Sequence, residues 1–306
     1  YFLGGTMELR RDLAERAIEQ YIAEPLGISI AEAALGVHRI VNENMANAAR
    51  VHILEKGLDP RRYSMMAFGG AGPVHAFGVA RLLRAPQMII PVGAGVTSAL
   101  GFLVSPIASE KITSYVNRLE TMDWKRVNQM LSEMETAGLQ FLKRANIPKS
   151  LAHIERIAEM RYAGQGHEIT VRMPTGKLSA ASIPEIKRRF RAEYELRYSR
   201  SLDAIAEETV TWRVIVSGPT PEMTPKQVMP HDNGTAYKGK RPVIFAESGT
   251  SPVDCPVYDR YLLKPDDRFK GPAIIEEMES TAVIGADCEV WVDEFKNILV
   301  EMEYPT

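Results

Sequence analysis

Apolar positions recur at helical spacing twice near the start of the chain. Leu13, Ala17, Ile18, Tyr21 and Ile22 predict a helix over about 10–24. Ser29, with Glu32 three residues on, has the form of a capping box and opens a longer helix running to about Lys56. The apolar stripe of that helix is Val37, Ile40, Val41, Met45, Ala48 and Val51, and Gly57 stands where a left-handed cap belongs. Tyr63–Phe68 then reads as a short buried strand, Gly69-Gly70-Ala71-Gly72-Pro73 as a loop, and 74–83 as the next helix. A second strand at 88–91, the loop Val92-Gly93-Ala94-Gly95 and a small-residue helix over 96–103 repeat the arrangement. Strands alternating with helices predict a parallel α/β layer.

The texture changes after Ser105. A strand over 108–118, a polar amphipathic helix over 123–145, a hairpin around Ala163-Gly164-Gln165-Gly166 and a helix over 182–199 follow. Thr209–Val216 alternates strictly enough to be a strand with one wet face. Residues 217–240 are rich in Pro, Gly, Asn, Asp and Lys, as an exposed connection requires, and the remainder is short strands separated by turns. The expected organisation is an α/β lobe over 1–105 carrying the glycine loops, an α+β region over 106–216 and a β-rich C-terminal domain over 217–306.

Charge and cysteine content narrow the functional classes. The 37 Lys and Arg nearly balance 39 Asp and Glu, a net charge of −2, which argues against non-specific nucleic-acid binding. No apolar run is long enough to span a bilayer. Two cysteines, Cys255 and Cys288, cannot build a disulfide framework, and no charged-then-apolar leader opens the chain; a cytoplasmic location with reduced thiols is expected. The opening Tyr1-Phe2-Leu3-Gly4-Gly5 reads as the interior of a fold, so either the chain continues before Tyr1 or it is one piece of a larger assembly.

A glycine loop between strand and helix can place backbone N–H groups around an anion or a nucleotide, because a Cβ would hold the ligand off. Two such loops at the carboxyl ends of neighbouring strands would open on one crevice. Gly69–Gly72 matches neither the dinucleotide fingerprint nor the P-loop, so ligand loop and tight structural turn both remain open on spacing alone.

The wording of the motifs goes further. Met66-Ala67-Phe68-Gly69-Gly70-Ala71-Gly72-Pro73-Val74-His75-Ala76 resembles the signature of the hydantoinase A / 5-oxoprolinase family, which includes subunits of ATP-dependent acetone and acetophenone carboxylases. Tyr1–Gly5, Val41–Ala46, Pro91–Gly101, Met160–Glu168, Pro256–Arg260 and Gly271–Glu277 with Ser280-Thr281 resemble the same family in the same order. The resemblance implies an α/β fold, half of an actin-like, sugar-kinase or Hsp70-type ATPase, followed by an α+β, β-rich C-terminal domain. It implies ATP with Mg²⁺, with Gly69, Gly70, Ala71 and Gly72 against the adenosine half and the Gly93–Gly101 segment completing that wall. The family's acidic phosphate motif of the Asp-x-Gly-Gly-Thr type has no counterpart here. Leu3-Gly4-Gly5-Thr6 lacks the acidic residue and is read as structural. The phosphate and Mg²⁺ side is therefore expected from another polypeptide or an N-terminal part, and the chain alone should not turn over ATP.

The nucleotide-binding candidates are Gly69, Gly70, Ala71, Gly72, Pro73, His75, Gly93, Gly95, Ser98 and Asn44. His75 is either a ligand contact in the first helical turn or a packing histidine, and Asn44, beside the apolar stripe, is a hydrogen-bond post or a cleft contact. Gln165, His167 and Glu168 read as an interface hairpin, and Asp259-Arg260 and Glu276-Glu277 as structural ion pairs. Cys255 and Cys288 lack zinc-type spacing, His38 and His52 lie too far apart on one helix to share an ion, and no nucleophile elbow occurs, so no catalytic or metal-binding residue is assigned. The resulting expectation is a subunit of an ATP-dependent ketone carboxylase of the acetophenone type, working with other subunits on a small molecule. The alternatives are the C-terminal part of an ATP-dependent hydantoinase or 5-oxoprolinase acting on a cyclic amide, and a non-catalytic assembly subunit.

Overall fold

The computed structural model describes residues 3–199, 202, 205–222 and 234–304. Tyr1 and Phe2 of the opening motif, and residues 223–233 of the expected connection, lie outside them. The chain divides into two compact units, Tyr1–Phe102 with Thr224–Thr306, and Leu103–Met223.

In the first unit, α1 (Arg11–Ile18) continues through a wider turn, Glu19–Ala23, and a last turn, Glu24–Leu26, to Gly27 at φ +66°. The helix α2 (Ile30–Glu55) begins as predicted. The Ser29 hydroxyl accepts from Glu32 N at 3.2 Å, and the Glu32 carboxylate accepts from Ser29 N at 2.8 Å. Gly57 follows at φ +68°, a left-handed conformation that costs glycine little. Then come β1 (Met65–Met66), α3 (Gly72–Leu83), β2 (Gln87–Ile90) and α4 (Thr97–Val104).

The apolar stripe of α2 faces outward. Val37, Ile40, Met45 and Val51 are exposed, whereas Ala33, Asn42 and Ala46 are buried. The reason is close packing on α3. Ala46 clusters with Val79 and Leu83, and Gly78 lies directly against Asn42, so the small side of the helix goes inward.

The second unit contains β3 (Ala108–Arg118), α5 (Trp124–Arg144), β4 (His153–Tyr162), β5 (Ile169–Arg172), α6 (Ile183–Tyr198) and β6 (Glu207–Ser217). Its sheet, in the order β3-β6-β4-β5, is antiparallel throughout. Trp212, Tyr162 and Phe190 are fully buried at the centre of its core. The predicted hairpin is β4–β5, paired from Ile157↔Arg172 to Met160↔Ile169.

The chain then returns to the first unit with β7 (Tyr237–Val243), β8 (Val253–Asp259), β9 (Arg268–Lys270), β10 (Ala273–Glu276), β11 (Thr281–Ile284), β12 (Cys288–Val292) and β13 (Ile298–Met302). The β-rich segment expected to stand apart from the α/β lobe instead completes it. β1 and β2 pair in parallel, and β13 adds antiparallel to β2, giving the order β1-β2-β13-β12-β9. A second sheet runs β11-β10-β8-β7, with β10 parallel to β8. Met88, Ile90, Val290, Val300 and Ile284 share one core with Ala76, Phe77 and Ala80 of α3. Two short parallel strands bury too little apolar surface alone, and the C-terminal strands supply the missing cover.

Within the second unit, a Cβ on Gly138 of α5 would lie 2.5 Å from Val216 Cγ2 and 2.7 Å from its Cβ. Gly138→Ala is therefore expected to destabilise on the order of 1 kcal/mol, overpacking outweighing the helix-propensity gain. A lower midpoint in urea unfolding is the expected result; a midpoint unchanged or raised would contradict this contact.

Candidate functional site

Two loops at the carboxyl ends of β1 and β2 are tied together. Gly69 N donates to Ala94 O at 2.7 Å, and Ala67 N donates to Ile89 O at 2.8 Å as β1 ends. Gly69 holds φ +94° and Gly93 φ +66°, so both tight reversals rely on glycine. Gly72 N closes the first turn onto Gly69 O at 3.2 Å, and α3 starts there with Pro73 buried in its first turn.

The turn between β10 and β11 braces both loops. The buried Glu277 carboxylate accepts from Gly93 N at 2.8 Å and from the Ser280 hydroxyl at 3.1 Å, while Glu277 N donates to Ser280 O at 2.9 Å. A Cβ on Gly95 would sit 2.4 Å from Glu279 O, so Gly95 is glycine because protein backbone packs there. Gly70 is looser: its Cβ would make ordinary contact with Glu279 O at 3.8 Å. Nothing lies within 4 Å of a Cβ on Gly69 or Gly72, which leaves these faces of the first loop open. Gly4 N also donates to this turn, to Met278 O at 3.1 Å, which gives the opening Gly-Gly string a structural place. Tyr261 fastens its outer side: the hydroxyl accepts from Met278 N at 3.1 Å and donates to Glu279 at 3.3 Å.

Arg260, 5% exposed, lies under this turn. Its Nη2 donates to Lys296 O, and Nε and Nη1 have no partner among the described residues. Burial lowers its pKa from the ordinary guanidinium value, against the opposing pull of Glu277 and Asp293. Glu276, read with Glu277 as an ion-pairing residue, does pair, with Lys238 and Arg241 of β7 at 2.6 Å each. Burial works against its charge, but these two cations outweigh it and hold Glu276 below the ordinary carboxyl value.

The buried amide near the first loop is Asn42, not Asn44. Asn44 is exposed, and a shift of two positions on α2 turns the side chain to another face. His75 and the Asn42 side-chain oxygen are 2.8 Å apart through His75 Nδ1, and Asn42 Nδ2 lies 3.3 Å from His38 Nδ1. The imidazoles of His38 and His75 stack at 4.9 Å with 20° between planes. A Cβ on Gly78 would lie 2.3 Å from Asn42 Nδ2, so glycine makes room for this amide. Burial first, and His38 second, hold His75 below the ordinary imidazole value.

The structure brings Gly69–Gly72, Gly93, Ala94 and Gly95 together, with His75 one turn into α3. Ala71 and Ser98 are exposed. Gln165 serves its own unit: its amide donates to the Tyr194 hydroxyl at 2.8 Å and its oxygen accepts from Tyr162 N. Glu277 and Ser280 carried a signal only as parts of a motif, since nothing in their local spacing points to a loop far earlier in the chain. Among the described residues no three His, Cys, Asp or Glu gather as metal ligands, and no helix is long and apolar enough to cross a membrane. Cys255 and Cys288 are buried free thiols, pushed up to about 11 by burial.

Glycine loops at the ends of two parallel strands, braced by the turn between β10 and β11, make this an α/β lobe with one open loop face. The chain belongs to the hydantoinase/oxoprolinase family: residues 1–111 match that family, and 117–302 match its C-terminal domain. An uncharacterised protein of Methanocaldococcus jannaschii, MJ0964, is 34% identical over 97% of this chain and 42% of its own length. Caprolactamase subunit alpha of Pseudomonas jessenii is 29% identical over 95% of this chain and 42% of its own length. The nucleotide-free structure of an ATP-dependent acetone carboxylase superposes with a TM-score of 0.69 at 25% identity, over 99% of this chain and 44% of that one. Subunits of acetone and acetophenone carboxylases are among the further relatives. The chain thus spans less than half the length of these proteins, and the ATPase-type fold expected from the resemblance is borne out.

Two outcomes follow from the site. Gly95→Ala forces the 277–280 turn to shift and is expected to cost about 1–3 kcal/mol, whereas Gly72→Ala, with open space, should stay within about 0.5 kcal/mol; denaturant unfolding of both variants separates the two kinds of glycine. His75, lowered in the fold, gains its proton more readily unfolded. Stability should therefore fall as pH drops through about 6.5, and His75→Gln should flatten that part of the profile, read by urea unfolding across the range. A slope unchanged in the variant would assign the acid loss to other groups.

Proposed function

We propose that this chain contributes the adenosine side of an ATP site in a multi-subunit ATP-dependent carboxylase acting on a ketone. The observation that carries this reading is the joined pair of glycine loops, with the faces of Gly69 and Gly72 open and Gly70 exposed at the ends of two parallel strands. A flat adenosine needs such a surface without Cβ atoms in its way. Gly69, Gly70 and Gly72 would hold it, with His75 at its edge. When bound, ATP would supply the phosphoryl group that activates bicarbonate or the ketone's enol. The share of these residues is binding and orientation, as phosphoryl transfer requires.

A cluster of acidic ligands for Mg²⁺ is expected on another polypeptide or on the part of the family not covered by this chain. Exposed apolar side chains support a missing neighbour: Val37, Ile40, Val51 and Leu54 on α2, and Phe102, 84% exposed, on α4. The subunit names of the caprolactamase and carboxylase relatives support partners of this kind.

A second reading is ATP-dependent opening of a cyclic amide, favoured by the 29% identity to a caprolactamase subunit. Phosphorylating an amide oxygen would there make the carbon susceptible to water. A third reading, a non-catalytic assembly subunit, is favoured by Gly95, whose close neighbour is Glu279 rather than open space.

Calorimetry with a non-hydrolysable ATP analogue, on the chain alone and with co-purified partners, tests the first reading. Binding should occur only in the complex and be lost in Gly70→Leu, a substitution at an exposed position outside the left-handed region. Binding indifferent to Gly70→Leu would make the loop structural and favour the assembly reading. ADP release by the complex with acetophenone or with caprolactam then separates ketone from cyclic amide.

A further inference from the structure

We propose that the cavity of about 280 Å³ between α2, α3 and residues 244–247 binds a small, largely apolar molecule carrying one hydrogen-bonding group, and that His38, Asn42 and His75 transmit its occupancy to the glycine loop. Leu35, Val74, Phe77, Ile244 and Val283 make its walls apolar. His38 and Asn42 are the polar groups in the lining from the helices, and Glu247, the other ionisable lining residue, is exposed. Arg39 fastens the covering segment to α2, its Nη2 donating to Ala246 O at 2.6 Å. A half-enclosed, mostly apolar space with the polar pair His38 and Asn42 at one wall suits a small organic molecule.

The coupling follows from the asymmetry of an amide, which has one accepting and one donating end. With Asn42 Oδ1 toward His75, His75 Nδ1 carries the proton and donates. Its Nε2, in the neutral ring, is then an acceptor. Asn42 Nδ2 meanwhile donates to His38 Nδ1, so the neutral His38 carries its proton on Nε2. Turning the amide end for end exchanges both roles. The two rings therefore hold complementary tautomers, and a single amide is the bistable element. Gly78, having no Cβ, leaves the room that the Asn42 amide occupies.

His75 lines a second cavity, of about 190 Å³, together with Phe68 and Gly72 of the first glycine loop and otherwise apolar residues. A molecule with an acceptor at His38 thus makes His75 Nε2 an acceptor beside the glycine loop, and a donor at His38 makes it a donor. This requires neither nucleotide nor partner, so it stands or fails apart from the ATP reading.

The test is nitrogen NMR of ¹⁵N-histidine-labelled chain, which has six histidines, at a pH of about 8, above the ordinary imidazole value. Cyclohexanone serves as the acceptor probe and pyrrole as the donor probe. The expected result is opposite tautomers: with cyclohexanone bound, His38 holds its proton on Nε2 and His75 holds its proton on Nδ1, leaving Nε2 of His75 bare, and pyrrole reverses both. Asn42→Leu should abolish the His75 response while sparing that of His38. Ala34→Phe, which fills the cavity, should abolish both. A response of His38 alone in the unsubstituted chain, the same tautomer in both rings, or no response to either probe would overturn the proposal, as would a response that survives Ala34→Phe.

Discussion

The first unit depends on one buried carboxylate. Glu277 comes from the turn between β10 and β11, yet its oxygen holds the amide of Gly93, far earlier in the chain. A buried carboxylate is costly unless its oxygens are bonded, and Gly93 N and the Ser280 hydroxyl each engage one. The arrangement ties the shape of the second glycine loop to the C-terminal strands. The first loop is fixed in turn, because Gly69 N binds Ala94 O. Removing the turn would leave both loops without a wall, which is why the C-terminal strands cannot be a separate domain in this fold.

This dependence divides the glycines into two kinds. Gly95 is pressed by the Glu279 backbone, and its missing Cβ is used by the protein itself. Gly69 needs its left-handed φ but has open space where a side chain would point. A sequence shows both as the same letter in the same kind of loop. The distinction matters chemically, since only an open glycine leaves backbone for a ligand to approach.

Local signals were legible and long-range ones were not. The Ser29–Glu32 capping box, the Gly57 cap and the parallel pairing of β1 with β2 follow from neighbouring residues, so short-range rules reach them. The inward face of α2 departs from its apolar stripe, because periodicity locates such a stripe without saying what covers it. Here close packing of Ala46 and Asn42 on α3 decided the orientation, and the large apolar residues were left outside. The buried amide accordingly falls at Asn42, two positions from the one expected. The bracing role of Glu277 depends on a contact across most of the chain, which no local pattern encodes. Only its place in a family motif marked it.

The relatives sharpen what such a fold can determine. Structures named as an ATP-dependent caprolactamase and an ATP-dependent acetone carboxylase share this architecture. One name denotes opening of a cyclic amide and the other carboxylation of a ketone. Both substrates contain a carbonyl and both names specify ATP, so the fold alone does not choose between the two chemistries. A shared fold is therefore expected to preserve what touches the nucleotide, while groups that touch the reacting carbon diverge. On the proposed function, the open glycines of the first loop would belong to the first category. A ketone reacting through its enol forms its new bond at the carbon next to the carbonyl, whereas a lactam is opened at the carbonyl carbon itself, so the side chains that select between them must surround different carbons.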